Sequence, residues 1–377
     1  MAERILVINP GSTSTKVAVF DGEKELFSHT AEHEKHETLA FSAAMEEMEL
    51  RRSTIKAVLK KYGMDTIKFD GVAGRGGLLA PMQGGTWNVT PAMLSDLASA
   101  RYGEHACNLG APLALEFAKE HGVQAYIVDT VVTDEMDSRA RLSGLPELPR
   151  RSIFHALSQR AAARKAAGQL GKQYSNCRFL VCHMGGGVSV AAHRNGKICD
   201  VVNALEGDGP FSPERTGRLP ALGVLDLVKN GIFTYEELRS RILKTGGLWA
   251  HLGTNDLRIV EKRMAEGDTK AQLVFEALTY CIAKELSGLI PALMHLDEGE
   301  NAPVTIDGFV LTGGMANSKK LIETIINNLP PLAPAFIFPA VEEMHALAGG
   351  VLRVLRGKES ARDYTGTPKD LLQFTTP

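Results

Sequence analysis

Little in this chain ties it to a membrane, a nucleic acid or an oxidising compartment. No apolar run approaches the roughly 20 residues of a membrane-spanning helix. Met1-Ala2-Glu3 leads straight into a strand-like segment rather than the apolar stretch of a secretion signal. The five cysteines (Cys107, Cys177, Cys182, Cys199 and Cys281) form no Cys-x-x-Cys pair. Several stand in apolar strand or helix patterns, so they read as reduced, buried thiols of a cytoplasmic protein. The 42 Lys and Arg nearly balance the 44 Asp and Glu, and the net charge of −2 leaves no excess of basic charge to displace counterions from a nucleic acid. There is no Walker A loop, no low-complexity segment and no obvious flexible linker. What remains is ordinary globular composition, 44% hydrophobic and 23% charged. At 377 residues the chain exceeds one core, so two domains are expected.

The most informative feature present is an internal repeat. Arg4–Lys24 reads like Arg178–Lys197. A gapless match sets Leu6 on Leu180, Val7 on Val181, Gly11 on Gly185, Ala18 on Ala192 and Gly22 on Gly196, a constant offset of 174. Each copy reads as an apolar strand, a Gly/Ser/Thr turn, a second strand, and then Asp21-Gly22 or Asn195-Gly196 leading into a third. Asp-Gly and Asn-Gly favour two-residue hairpins, because both central residues need positive φ. Two such Gly-rich turns facing each other across a cleft would clamp a polyphosphate.

Between and after the copies, helical and strand patterns alternate. Helices are expected near 41–62, 91–101, 111–121 and 155–170, with strands at 69–74 and 124–129 and an irregular stretch at 138–151. The second half predicts a Pro/Gly-rich loop over 206–223 and helices near 224–229, 235–244, 256–266 and 269–294. Strands at 304–312 and 335–339 follow, with helices from 317 and over 342–355. This alternation in two similar halves predicts an α/β protein with two helix-covered sheets. The domains are expected at 1–150 and 151–344, the first completed by the C-terminal helix of 345–377.

The candidate chemistry lies in the turns. Asn9-Pro10-Gly11-Ser12-Thr13-Ser14-Thr15-Lys16 concentrates hydroxyls, backbone N–H groups and one cation, which suits polyphosphate. In His183-Met184-Gly185-Gly186-Gly187-Val188-Ser189 the glycines admit a ligand close to the backbone. A strand follows that run, not the helix of a dinucleotide-binding fold. Thr312-Gly313-Gly314 closes a strand where a nucleoside or anion could meet a helix start. Arg75 stands among glycines and Arg215 in the Pro/Gly loop, where guanidinium groups can grip carboxylate or phosphate. A solvated surface arginine is the plain alternative for each. Asp129 ends a buried strand, where ligand sites gather in open α/β sheets; a turn or capping aspartate is its plain alternative.

Together these residues resemble the acetate kinase (acetokinase) family. Asn9-x-Gly11-Ser12-Thr13-Ser14-x-Lys16 is similar to the family's first signature, and His183-x-Gly185-x-Gly187-x-Ser189-Val190-x-Ala192, closing at Gly196, to its second. The likeness spans nearly the whole chain. Within the family, the length and Gly74-Arg75-Gly76-Gly77 look most like the butyrate kinases. The resemblance implies the duplicated two-domain fold of the actin, sugar kinase and heat-shock ATPase superfamily (ribonuclease H-like). It implies transfer of the ATP γ-phosphoryl group to a short-chain fatty acid, with ATP/ADP and Mg²⁺ as cofactors and a cytoplasmic homo-oligomer as the assembly. A small carboxylic acid or acyl phosphate would be its partner, not nucleic acid or membrane.

By the same resemblance, Arg75 would bind the acid, Asp129 would be the active-site acidic group, and His155 and Arg215 would stabilise the transferring phosphoryl. Ser12, Ser14, Lys16 and His183 to Gly187, with Gly185 and Gly186, would hold the phosphates. Asp256, Arg258, Gly313 and Gly314 would contact the nucleoside. Asn9 and Glu342 would serve the metal, although Glu342 and Glu343 cannot be separated by sequence. His105 stands where the family often has a His-Asn-Pro motif, and its place in the site is left open. Gly77 and Phe154 would line the acid pocket. In acetate kinases a branched residue crowds the substrate methyl at the position of Gly77, so glycine there predicts room for a longer acid. Acetate or a branched-chain acid remains an alternative substrate. A sugar or polyol kinase and a non-catalytic nucleotide switch are more distant ones.

Overall fold

The computed structural model describes residues 3–11, 13–33, 44–296, 304–339 and 343–366. Contacts divide the chain into a first unit, Met1–Asp134 with Glu342–Thr376, and a second, Glu135–Val341. The chain passes between these units at Asp134/Glu135.

The first unit holds strands β1 (Arg4–Pro10), β2 (Ser14–Asp21), β3 (Lys24–Glu32), β4 (Gly71–Gly74), β5 (Thr86–Asn88) and β6 (Ala125–Val128). The second holds β7 (Arg178–Met184), β8 (Val188–Arg194), β9 (Lys197–Val201), β10 (Gly308–Thr312) and β11 (Ala335–Phe338). Strand β12 (Arg362–Asp363) returns to the first. The sheet orders are β12-β5-β6-β4-β1-β2-β3 and β11-β10-β7-β8-β9. In each, an antiparallel meander lies on one side (β1-β2-β3, β7-β8-β9). Two further strands lie parallel to its first strand on the other (β4 and β6, β10 and β11). The repeat seen in sequence is therefore the start of a longer duplicated topology.

Both central strands are apolar through their middle. Ile5 to Ile8 and Phe179 to Cys182 are fully buried, as strands covered by helices on two faces must be. In the first unit the cover is visible from glycines of opposite face. A side chain at Gly71 would meet Val351 of the helix Glu343–Leu355, and one at Gly74 would meet Gly110 at the start of the helix Gly110–His121.

The hairpin registers correct the gapless match. Pro10 pairs with Thr15 across a four-residue turn, but Met184 pairs with Val188 across three residues. The offset of 174 holds through β1 and drops by one from β2 onward. Lys16 therefore corresponds to Ser189, Ala18 to Ala191 and Gly22 to Asn195. Both copies carry a bulge at the same place beyond the next turn: the ladder skips Leu26 in one and Cys199 in the other. Asn195 and Gly196 both adopt positive φ (50° and 80°), as an Asn-Gly hairpin predicts. In the first copy Asp21 pairs with Lys24, so the central residues are Gly22-Glu23 and only Gly22 (φ 58°) is left-handed.

The remaining differences are local. The helix expected at 41–62 runs Met48–Lys61 after a 3-10 turn, Ala44–Glu47; residues 41–43 lie outside the described residues. The helix expected at 269–294 ends at Gly288, and one turn, Ile290–Leu293, follows. Pro291 accounts for the break, since its ring excludes an uninterrupted helix. A helical turn, Ser138–Arg141, sits in the irregular stretch, and the helix Gly247–Leu252 was not predicted. Among the described residues no helix is long and apolar enough to cross a membrane.

Candidate active site

In the first unit the parallel strands β1, β4 and β6 end side by side, with Ile8 beside Gly74 and Gly74 beside Ile127. The next residues along are Asn9, Arg75 and Asp129's neighbourhood, at the edge where open α/β sheets bind ligands. Arg75 N–H donates to the Ile8 carbonyl (2.9 Å), which ties the arginine loop to β1. Glu343, the first residue of its helix, gathers the group. Asn9 Nδ2 donates to Glu343 Oε2 (2.9 Å), and the Arg75 guanidinium forms an ion pair with the same oxygen. Glu343 is thus placed at Asn9 and Arg75; Glu342 and Ser12 lie outside the described residues.

Asp129 is 4% exposed and has φ 41°, a left-handed backbone that costs a non-glycine residue energy. Gly85 holds it there: Asp129 N–H donates to the Gly85 carbonyl (3.0 Å), and Gly85 N–H donates to Asp129 Oδ1 (2.8 Å). Strain of this kind needs a rigid surround, and a strand end packed under a helix supplies it. His105 Nδ1 accepts from the Cys107 N–H (3.1 Å), capping the 3-10 turn Ala106–Leu109. Burial lowers the His105 pKa, and the positive charge of Arg75 lowers it further, so this histidine belongs to the surroundings of Arg75. Burial raises the Cys107 thiol to about 11 against the opposing effect of Arg75.

The turn between β1 and β2 is braced from outside by residues that sequence reading missed. Arg51 is 0% exposed. Its NH1 donates to the Ser14 carbonyl (2.7 Å) and to Thr15 Oγ1 (2.9 Å), while Glu47 balances its charge at 2.6 Å. His33 Nε2 lies 2.8 Å from Thr15 Oγ1, and His33 N–H donates to the Thr13 carbonyl (2.9 Å). No local pattern marks Arg51, because any solvated helix carries such charges. Lys16 stands opposite Asn9 in the β1–β2 ladder.

The second unit presents the other glycine loops. Thr312 pairs with His183, so the ends of β7 and β10 lie together. Gly313 (φ 93°) rests on Met184, where a Cβ would stand 2.8 Å from the Met184 nitrogen. The rings of His155 and His183 stack, with centroids 4.1 Å apart and planes 19° from parallel. Arg215 reaches this loop from the Pro/Gly segment. Its guanidinium lies on Gly187 so closely that an alanine Cβ there would overlap NH1 and stand 2.9 Å from Cζ. NH1 donates to the Ala204 carbonyl (2.8 Å). Ser212 fastens the two loops together: its Oγ accepts from Arg215 N–H (3.1 Å) and donates to the Gly186 carbonyl (2.8 Å). Burial lowers the Arg215 pKa, with Glu214 opposing, and its Nε is buried with no hydrogen-bond partner among the described residues. A desolvated guanidinium held beside a glycine loop has the charge and the donors to receive an anion.

Other expected residues have visible structural duties. Asp256 caps the helix Leu257–Ala265 by accepting from Arg258 N–H (2.9 Å), and the Arg258 side chain, 90% exposed, pairs with it at 2.6 Å. Nothing stands within 4 Å of a Cβ built on Gly314. Two residues expected to line the acid pocket stand in packed surroundings. Phe154 is 3% exposed and packs with Met136, Ala191, Ile198 and Val201, so its ring is a core group of the second unit. Gly77 does not open space: a Cβ would stand 2.7 Å from both Asn108 Cα and Leu97 Cδ2. Asn108 cannot yield, since its Oδ1 accepts from Leu78 N–H (2.8 Å) and its Nδ2 donates to the Gly103 carbonyl (3.0 Å). Gly77→Val is therefore expected to cost about 1–3 kcal/mol of stability through overpacking. A thermal melt checks this; an unchanged melting temperature with a preference shifted toward acetate would restore the pocket reading.

Comparison with known proteins agrees with this architecture. Residues 118–334 match the Acetokinase family. A probable butyrate kinase of Oleidesulfovibrio alaskensis is 55% identical over 96% of this chain and 98% of its own. Butyrate kinase 2 of Clostridium acetobutylicum is 46% identical over 97% of this chain and 100% of its own. The crystal structure of Porphyromonas gingivalis acetate kinase superposes with a TM-score of 0.75, covering 94% of this chain and all of that one, at 20% identity. The duplicated α/β fold is the one seen in the solved acetate and propionate kinases. The chain belongs to the acetokinase family, and it is a kinase that phosphorylates a carboxyl group.

Proposed function

We propose that this kinase converts butyrate and ATP reversibly into butanoyl phosphate and ADP. One observation carries the choice of an acid as acceptor: Arg75, at the ligand-binding edge of its sheet, already holds a carboxylate, that of Glu343. A neutral sugar would leave such a guanidinium without an anion. Likeness to relatives named butyrate kinases supports the four-carbon acid.

The chemistry asks for little proton transfer. A carboxylate oxygen attacks the γ-phosphorus, the bond to the β,γ-bridging oxygen breaks, and its electron pair leaves with ADP. The nucleophile is ionised at neutral pH, so no strong base is needed. Catalysis rests on positioning and on relief of repulsion between anions. Arg75 orients the acid. Arg215 and His155 stabilise the transferring group. Gly185 to Gly187, His183, Ser12, Ser14 and Lys16 hold the phosphates, and Gly313, Gly314, Asp256 and Arg258 face the nucleoside. Asp129, held by Gly85, orients groups rather than taking a proton.

The donor set also fits Mg²⁺. Asn9 spends its Nδ2 on Glu343 and keeps Oδ1, and the Glu343 carboxylate adds hard oxygen donors. These two residues would hold the ion, which when bound neutralises phosphate charge. A homo-oligomeric cytoplasmic protein completes the reading through the family resemblance. In the helix Ala221–Lys229, where no residue is buried, Leu222 and Leu225 offer apolar surface for a second copy.

The test is hydroxamate detection of acyl phosphate with ATP, Mg²⁺ and unbranched and branched acids of two to six carbons. Butyrate should give the highest kcat/KM. A higher value for acetate or isobutyrate would move the substrate within the class. ATP turnover independent of any acid would favour a nucleotide switch, and phosphorylation of glycerol or glucose a sugar kinase.

A further inference from the structure

A buried chain of hydrogen bonds runs behind His155. Tyr174 Oη lies 2.9 Å from His193 Nδ1, and His193 Nε2 lies 3.2 Å from Gln159 Oε1. Gln159 Nε2 reaches both Ser189 atoms, the backbone carbonyl at 3.0 Å and Oγ at 2.8 Å. Ser189 Oγ lies 2.8 Å from His155 Nδ1. Gln159, Ser189 and His193 are all 0% exposed. Buried polar groups of this kind must satisfy one another, so the direction of each bond can be worked out.

The Ser189 carbonyl can only accept. Gln159 must therefore present its NH₂ to it, and its Oε1 faces His193. Oε1 can only accept, so His193 carries its proton on Nε2. Full burial, helped by the charge of Arg160, holds His193 far below the usual imidazole range and hence neutral. Its bare Nδ1 then accepts from the Tyr174 hydroxyl. At the other end, Ser189 Oγ accepts from Gln159, and among the described residues its hydroxyl proton has one acceptor within hydrogen-bond distance, His155 Nδ1.

We propose that Tyr174, His193, Gln159 and Ser189 form a one-way relay that fixes His155 as the tautomer bare at Nδ1 and protonated at Nε2. The inference deepens the reading of His155 as a contact of the transferring phosphoryl group, and rests on it for its catalytic meaning. A histidine locked in this form offers one N–H donor to developing negative charge and cannot turn a lone pair toward it. Stacking on His183 fixes the plane of the ring as the relay fixes its proton. Gln159 and Ser189 are thus positioning residues, acting through His155. The burial of a glutamine within the otherwise Ala-rich face of the helix Ala156–Gln169 is the mark they leave in the fold.

The tautomer can be read without turnover. In the full chain labelled with ¹⁵N-histidine, and assigned against a His155→Gln variant, His155 should show a bare Nδ1 and a protonated Nε2. A protonated Nδ1 would overturn the relay, whatever the enzyme's substrate. Ser189→Ala removes only the last donor. It should lower kcat by about a hundredfold, the effect of losing one aligned donor, while the KM values for acid and ATP move less than about threefold. The same variant should show the His155 proton shared between its two nitrogens. An unchanged tautomer in Ser189→Ala would sink the proposal, as would an unchanged kcat.

Discussion

Arg215→Ala is expected to lower kcat by about a thousandfold while changing the KM values for acid and ATP far less. A guanidinium that meets charge only as it develops on the transferring phosphoryl contributes to the transition state and little to the ground state, and such arginines are worth roughly 10³ to 10⁵ in kcat. The structure gives Arg215 the means. It is half-buried, its Nε is without a partner among the described residues, and its loop is fastened to the glycine loop through Ser212. Gly187 supplies a second route to the same defect. An alanine there puts a methyl group where the guanidinium lies, so the arginine must move although it is still present. Gly187→Ala should therefore reproduce much of the loss. The double variant should be no worse than Arg215→Ala alone, because both changes remove one interaction. Steady-state kinetics of the three proteins decides the matter. Strictly additive losses would separate Gly187 from Arg215, and a near-normal kcat in Arg215→Ala would remove the arginine from catalysis.

The repeat was legible because it is written locally: apolar strand, glycine turn, apolar strand. Its sheet order was also within reach, since buried strands separated by helices can run parallel. The one-residue slip between the copies was not legible. Gly11 matches Gly185 and Gly22 matches Gly196 by letter, and only the pairing of Pro10 with Thr15 against Met184 with Val188 shows the extra residue. The site divided in the same way. Residues in or next to the glycine-rich turns, such as Asn9, Arg75, His183 and Arg215, announce themselves by their neighbours. Glu343 could not be told from Glu342, because its partners Asn9 and Arg75 are more than 260 residues away in sequence. Arg51 and Gln159 are ordinary helix letters that become exceptional only when buried. At Gly77 sequence and packing suggest different things for the opposite reason. A missing side chain suggests space, but Asn108 and Leu97 already occupy it. Absence of a Cβ can record close packing as well as a pocket.

Arg75→Ala should act on the acid rather than on the chemical step. A hydrogen bond between charged groups is worth about 1.5–3 kcal/mol net, which corresponds to roughly a tenfold to 150-fold rise in the KM for butyrate. The KM for ATP should stay within a few-fold. Arg75→Lys should fall between, because an ammonium keeps the charge and loses the planar fork that matches a carboxylate. The structure adds a condition to these numbers. Arg75 is engaged by Glu343, so an incoming acid must compete with a carboxylate that the protein itself supplies. Glu343→Gln weakens that competitor without removing the side chain, and Asn9 Nδ2 can still donate to its amide oxygen. In calorimetry without nucleotide or metal, Glu343→Gln should bind butyrate more tightly than the parent protein does, and Arg75→Ala should bind it more weakly. Weaker binding in both would mean that the acid needs Glu343 rather than displacing it. An unchanged butyrate KM in Arg75→Ala would place the acid elsewhere altogether, because no other consequence of removing this guanidinium could leave its proposed ligand indifferent.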